Sequence, residues 1–91
     1  MDIYPGAIVY ATAGRDKDRF FVVTAVEGDY AFISDGRTRK VDVPKKKKLK
    51  HLKGTKLFSE DLRSKLSDNQ IISNSMIRKE IQLLISDNKS I

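Results

Sequence analysis

Cysteine is absent, which removes disulfide frameworks and thiolate metal sites and fits a reducing compartment. Histidine occurs once, as His51, inside a lysine run and with no second ligand at metal-binding spacing. There is no glycine-rich phosphate loop and no paired-acid motif. Gly14-Arg15-Asp16-Lys17 is not a Walker sequence, because the spacing is wrong and no helix is expected after it. No long apolar run opens the chain: Met1 to Pro5 carries an acid and fits neither a signal peptide nor a membrane span, so the expected location is cytoplasmic. Without an acid–base pair, a nucleophile or a metal constellation, no enzyme, no cofactor and no metal site is expected. At 91 residues the core is too small for a large buried active site, and one domain is expected.

What the chain has instead is positive charge in one place. Arg37 to Lys53 (RTRKVDVPKKKKLKHLK) holds nine Lys and Arg against a single acid, Asp42. The 36 residues before it carry three basic and six acidic side chains, and the 38 after it carry six and five. The excess of +6 therefore belongs to this stretch. Clustered cations gain most where condensed counterions can be released from phosphates, so the expected partner is polyanionic. The alternative is a solvated lysine run or a basic tail. Val41, Val43, Leu49 and Leu52 interrupt the run at spacings that suit a folded strand pair.

Before the basic stretch, β-branched and aromatic residues dominate. Gly6 to Thr12 (GAIVYAT) reads as a strand. The polar turn Ala13 to Arg19 follows, then Phe20 to Val26 (FFVVTAV), apolar enough to be covered on both faces. Glu27-Gly28-Asp29-Tyr30 reads as a hairpin turn, with Gly28 free to take positive φ. Tyr30 to Ser34 is a third strand. Asp35-Gly36 is a strong hairpin signal, which predicts Arg37 to Val43 returning as a fourth strand. Pro44 should break that strand or lie on an edge, and Leu49 and Leu52 could anchor a short fifth strand or a single turn within Lys48 to Lys53. Five short strands with tight turns predict a mainly β fold: a small, strongly bent barrel over residues 1–53, SH3-like rather than OB-like, with Val9, Val22 and Ile33 buried.

Residues 54–91 read as a helical extension. Ser59 is a candidate N-cap with Glu60 and Asp61 in the first turn and Asp61–Lys65 at i, i+4, predicting a helix over 59–66 that ends at Asp68-Asn69. Ser73-Asn74-Ser75 offers a second N-cap. Ile77, Ile81, Leu84 and Ile85 then make an amphipathic stripe, predicting a helix over 75–86 that packs on the barrel or on a partner. Asp87 to Ile91 is expected to fray.

The candidate contact residues form two groups. The first is the basic stretch itself: Arg37, Arg39, Lys40, Lys45, Lys46, Lys47, Lys48, Lys50, His51 and Lys53. The second is the first turn, where Arg15, Lys17 and Arg19 at alternate positions can meet successive phosphates, and where Asp16 and Asp18 can pair locally with those cations. Tyr10 and Tyr30, with polar tips, are the aromatic candidates for base contact.

Residues 6–23 resemble the KOW motif, in which a strand, a glycine-containing basic loop and a second strand bind ribosomal RNA or transcription-complex partners. With Asp35 to Lys40 and Lys45 to Leu52 included, the chain is similar over roughly residues 5–53 to the small bacterial KOW-domain proteins. These are relatives of the archaeal and eukaryotic large-subunit ribosomal protein fourteen-e, and Ser73 to Ile85 resembles the short helix that ends the bacterial proteins. Where that family has glycine after the loop lysine, this chain has Asp18, which tolerates left-handed backbone better than most residues but adds a negative charge to the loop. The resemblance implies an SH3-like barrel and a ribosome-associated, non-catalytic RNA-binding role, with ribosomal or other structured RNA as partner, ribosomal proteins as further partners, and no membrane. The alternative is a protein-interaction module of the transcription or translation machinery, docking through the Ile77–Ile85 helix.

Overall fold

A computed structural model describes residues 3–87 of the chain. The strands are β1 (Ala7–Ala11), β2 (Phe20–Glu27), β3 (Tyr30–Ser34), β4 (Lys45–Lys48) and β5 (Leu52–Phe58). A single 3-10 turn, Leu49–His51, joins the last two strands, and two helices follow, α1 (Glu60–Ser67) and α2 (Asn74–Asp87). The described residues thus form a small, mainly β domain: five antiparallel strands in one sheet, in the order β4-β3-β2-β1-β5, plus two helices.

The strand alternation sets up two apolar layers. Val9, Ala11, Phe21, Val23, Ala31, Ile33 and Leu52 point to one side and pack together. Ile8 and Val22 point to the other side, where Leu62, Ile72 and Ile77 cover them. The apolar run of β2 is therefore covered on both faces only from Phe21 to Val23; Ala25 and Val26, expected to be covered as well, are exposed. Val9, Val22 and Ile33 are fully buried, and each such side chain contributes about 1.5–3 kcal/mol relative to exposure.

The helices begin where their caps predict. Ser59 Oγ accepts from Leu62 N at 3.1 Å and also donates to Glu80 of α2, tying the helices together. Asp68 caps the other end of α1, and Asn69 takes a left-handed φ of 56°. Ser73 Oγ accepts from Met76 N at 3.2 Å at the start of α2. The α2 stripe lies on the sheet: Ile77 is fully buried, and Ile81, Leu84 and Ile85 pack around the same cluster. The fraying expected from Asp87 to Ile91 falls on residues 88–91, outside those described; Asp87 itself closes α2.

The second half of the sheet differs from the expectation. Arg37 to Val43 is an irregular loop rather than a fourth strand. The cause is local. Asp35 Oδ1 accepts from Arg37 N and Arg39 N, each at 2.9 Å, Oδ2 accepts from Thr38 Oγ1, and Ser34 Oγ donates to Arg39 O. These side chains take the backbone groups that a strand ladder would have used. The loop then docks on α2, with Val41 N donating to Asn74 Oδ1 at 2.8 Å and Arg78 Nη1 to Gly36 O at 2.7 Å. Gly36 has a φ of 74°, and a Cβ there would stand 2.4 Å from Asn74 O, so the docking requires glycine.

The fourth strand is instead the lysine run itself, pairing Tyr30↔Lys48 through Ile33↔Lys45. The fifth is longer than expected and runs to Phe58, past the Lys53–Gly54 boundary placed between barrel and helical extension. Gly54 and the positive φ of Lys56 (69°) obscure β5 in the sequence, and the pairing of β5 with β1 is irregular between Ala7 and Val9.

Candidate nucleic-acid interface

The 3-10 turn and the first turn set the site. Leu49 N donates to Asp29 O at 2.8 Å on one side, and Thr12 N donates to His51 O at 2.9 Å on the other. The 3-10 turn therefore links the β2–β3 turn to the end of β1. Lys47, on the core-side parity of β4, reaches Ala13 O at 2.8 Å. This draws the start of the 12–19 loop against β4 and brings the two groups of candidate cations together.

That loop is wound tightly. Asp18 N donates to Ala11 O at 2.8 Å, Lys17 N to Gly14 O, and Arg19 N to Asp16 O. Asp18 adopts the left-handed conformation, φ 68°, that a glycine would take at this place. Asp16 does not pair with its neighbours in the loop. It is 3% exposed and binds Arg39, 23 residues on, with Nε and Nη2 at 3.2 and 3.0 Å from Oδ2. One of the loop's two negative charges is thereby neutralised; the other, Asp18, is exposed and has no ion pair among the described residues.

The candidate residues consequently divide by what they touch. Arg39 is committed to Asp16, Lys47 to Ala13 O, and Arg19 lies 3.9 Å from Asp35. His51 is half-buried and contributes its carbonyl to the loop contact. Arg15, Lys17, Arg37, Lys40, Lys45, Lys46, Lys48, Lys50 and Lys53 are exposed, and among the described residues none of them pairs with a carboxylate.

Aromatic rings stand among these cations. Lys46 Nζ lies 4.7 Å from the ring centroid of Tyr30 and 6.0 Å from that of Phe32, on the face opposite the Val9–Ile33 core. Lys53 Nζ is 6.0 Å from Tyr10, which packs on Phe20 at 5.8 Å. Both tyrosines are half-buried, each with a cation at its ring, the arrangement that ammonium–π attraction favours.

The Asp35 carboxyl holds the neighbouring loop. Burial alone would push its pKa up, but the backbone N–H groups of Arg37 and Arg39, the Thr38 hydroxyl and the Arg19 guanidinium outweigh burial and hold it below its ordinary 3.8. Among the described residues no group of three His, Asp or Glu could hold a metal ion, and no helix is long and apolar enough to cross a membrane.

Lysines on an edge strand also oppose edge-to-edge pairing, and that alone would account for β4. It does not account for Lys50 and Lys53, which follow the strand, or for Arg15 and Lys17 on a loop drawn to the same place. Sequence reasoning missed the anchoring roles of Asp16 and Asp35 and the part played by Arg78. Each depends on a contact across the fold, and no local pattern announces it. The chain matches no protein-family model, and no curated protein is significantly similar to it.

Proposed function

We propose that the chain is a non-catalytic RNA-binding protein of SH3-like barrel architecture that holds an RNA backbone along the exposed edge strand and adjoining turns carrying Lys45, Lys46, Lys48, Lys50, Lys53, Arg15 and Lys17. The observation that carries the reading is the convergence of exposed, unpaired cations from β4, the 3-10 turn, β5 and the 12–19 loop at a junction closed by Lys47 and His51. Such a surface meets phosphates without sequence selection, and the adjacent Tyr10 and Tyr30 rings offer stacking surface to unpaired bases.

The barrel reading is supported by the strand order, with β5 beside β1, and by the 3-10 turn bonded at both its ends. The KOW resemblance is supported by the left-handed Asp18 in the loop that joins the first two strands. In this reading the partner is ribosomal or another structured RNA, and the protein is ribosome-associated. A protein-docking role for α2 is disfavoured, because its Ile77 stripe is already occupied by the sheet.

Ultraviolet crosslinking in the native cells, with sequencing of the RNA and mapping of the linked peptides, tests this proposal. Crosslinks should fall within residues 12–19 and 45–53. Crosslinks confined to 60–87, or none above background, would refute it.

A further inference from the structure

A second cationic feature lies beside this face. An open groove of about 520 Å³ runs between the end of the 12–19 loop, the 35–44 loop and α2, lined by Arg19, Phe20, Asp35, Arg37, Arg78 and Ile81. Three guanidiniums face one carboxylate. That carboxylate is already engaged, with Oδ1 accepting from two backbone N–H groups and Oδ2 from Thr38. Its nearest approach to Arg19 is 3.9 Å, outside hydrogen-bond range. Arg78 uses one N–H on Gly36 O, and the Arg37 side chain is exposed with no carboxylate partner among the described residues. Each guanidinium carries five donors in a planar fork suited to phosphate, so most of this donor capacity is open.

The wall of the groove is apolar. Phe20 and Ile81 are half-buried, and Tyr10 packs on the Phe20 ring at 5.8 Å and holds it in place. A bare phosphate needs no such wall, and an apolar ligand needs no arginines. Cationic rim, aromatic wall and a volume within the usual range of small-ligand clefts together match one nucleotide.

We propose that the groove takes a single nucleotide turned out of the bound strand, its phosphate on Arg19 and Arg37, its base against Phe20, and the amide of Gln82, which also lines the groove, at the edge of the base. This deepens the RNA-binding reading and rests on it for the source of the nucleotide.

The test titrates the full chain with adenosine 5′-monophosphate and, separately, with inorganic phosphate, following the arginine Nε–H signals and the Phe20 ring by NMR. The mononucleotide should shift Phe20, Arg19 and Arg37 saturably, whereas phosphate should shift the arginines alone. An Arg19→Gln/Arg37→Gln variant, replacing two exposed residues, should bind the mononucleotide about tenfold or more weakly, the loss expected for one or two charge-assisted hydrogen bonds. Phe20→Leu, which keeps an apolar wall, should weaken the mononucleotide but not phosphate. Replacing Lys45, Lys46, Lys48 and Lys50 with glutamine should leave mononucleotide binding unchanged, so the groove is read independently of the lysine face. An unshifted Phe20 ring, including the case where phosphate alone binds, would overturn the proposal. So would equal mononucleotide affinity in the double-arginine variant.

Discussion

The Asp16–Arg39 pair holds the loop carrying Arg15 and Lys17 against the loop carrying Arg37 and Lys40, and its strength can be worked from its burial. The Asp16 side chain is 4% exposed and the Arg39 side chain 30%. Exposed ion pairs contribute about 0–1 kcal/mol. Removing one partner of a fully buried pair costs about 3–5 kcal/mol, because the other charge is left without solvent. Here Arg39 can rehydrate through its exposed part. Asp16→Asn, which keeps the shape and one acceptor, should therefore cost about 1–2 kcal/mol, near the lower end for hydrogen bonds to charged groups. In a domain of this size that is a fall in Tm of about 4–8 °C per kcal/mol. The assay is a double-mutant cycle by urea unfolding over wild type, Asp16→Asn, Arg39→Gln and the double variant. A coupling energy of about 0.5–2 kcal/mol is expected, and a cycle that closes to within about 0.3 kcal/mol would show that the loops do not depend on the pair.

The remaining predictions concern other parts of the fold. Because Asp35 titrates below 3.8 in the folded chain, its contribution is fully present above that value and is lost as pH falls through the lower folded pKa. Asp35→Asn should thus flatten the acid limb of stability against pH below about 4, measured by unfolding at a series of pH values. Ile77 is fully buried, at 0% solvent exposure, and Ile77→Ala should cost about 2–5 kcal/mol by denaturant unfolding. Gly36→Ala combines a disfavoured φ with a clash against Asn74 O, and should destabilise by more than about 1 kcal/mol while shifting the amide signals at the start of α2.

The regular half of the molecule was legible in the sequence. β1 to β3 are bounded by turn residues and rich in β-branched and aromatic residues, both helices announce themselves by serine caps, and α2 adds a 3.6-residue apolar stripe. Arg37 to Val43 misled because Asp35-Gly36 signals a two-residue hairpin. The same Asp35 side chain can instead bond two backbone N–H groups beyond it, and the outcome is decided by the docking of the loop on Asn74 and Arg78. β4 and β5 carry little alternation: one is four lysines and the other contains Gly54 and a left-handed Lys56. The cationic stretch was visible as charge alone. Which cations remain open and which are consumed in holding loops depends on Asp16, Asp35 and Ala13 O, placed by the tertiary fold.

The central claim, that the lysine face neutralises RNA phosphates, is tested most directly by the salt dependence of binding to the native RNA. Lys45, Lys46, Lys48 and Lys50 should be replaced together by glutamine, leaving Lys47 in place because it holds the 12–19 loop. Each phosphate contact contributes about 0.7–0.9 to the slope of log K against log salt, so losing four should flatten it by about 3 to 4. Affinity should fall for all RNAs alike, with the fold unchanged. A variant that stays folded and binds with the wild-type slope and affinity would contradict the account.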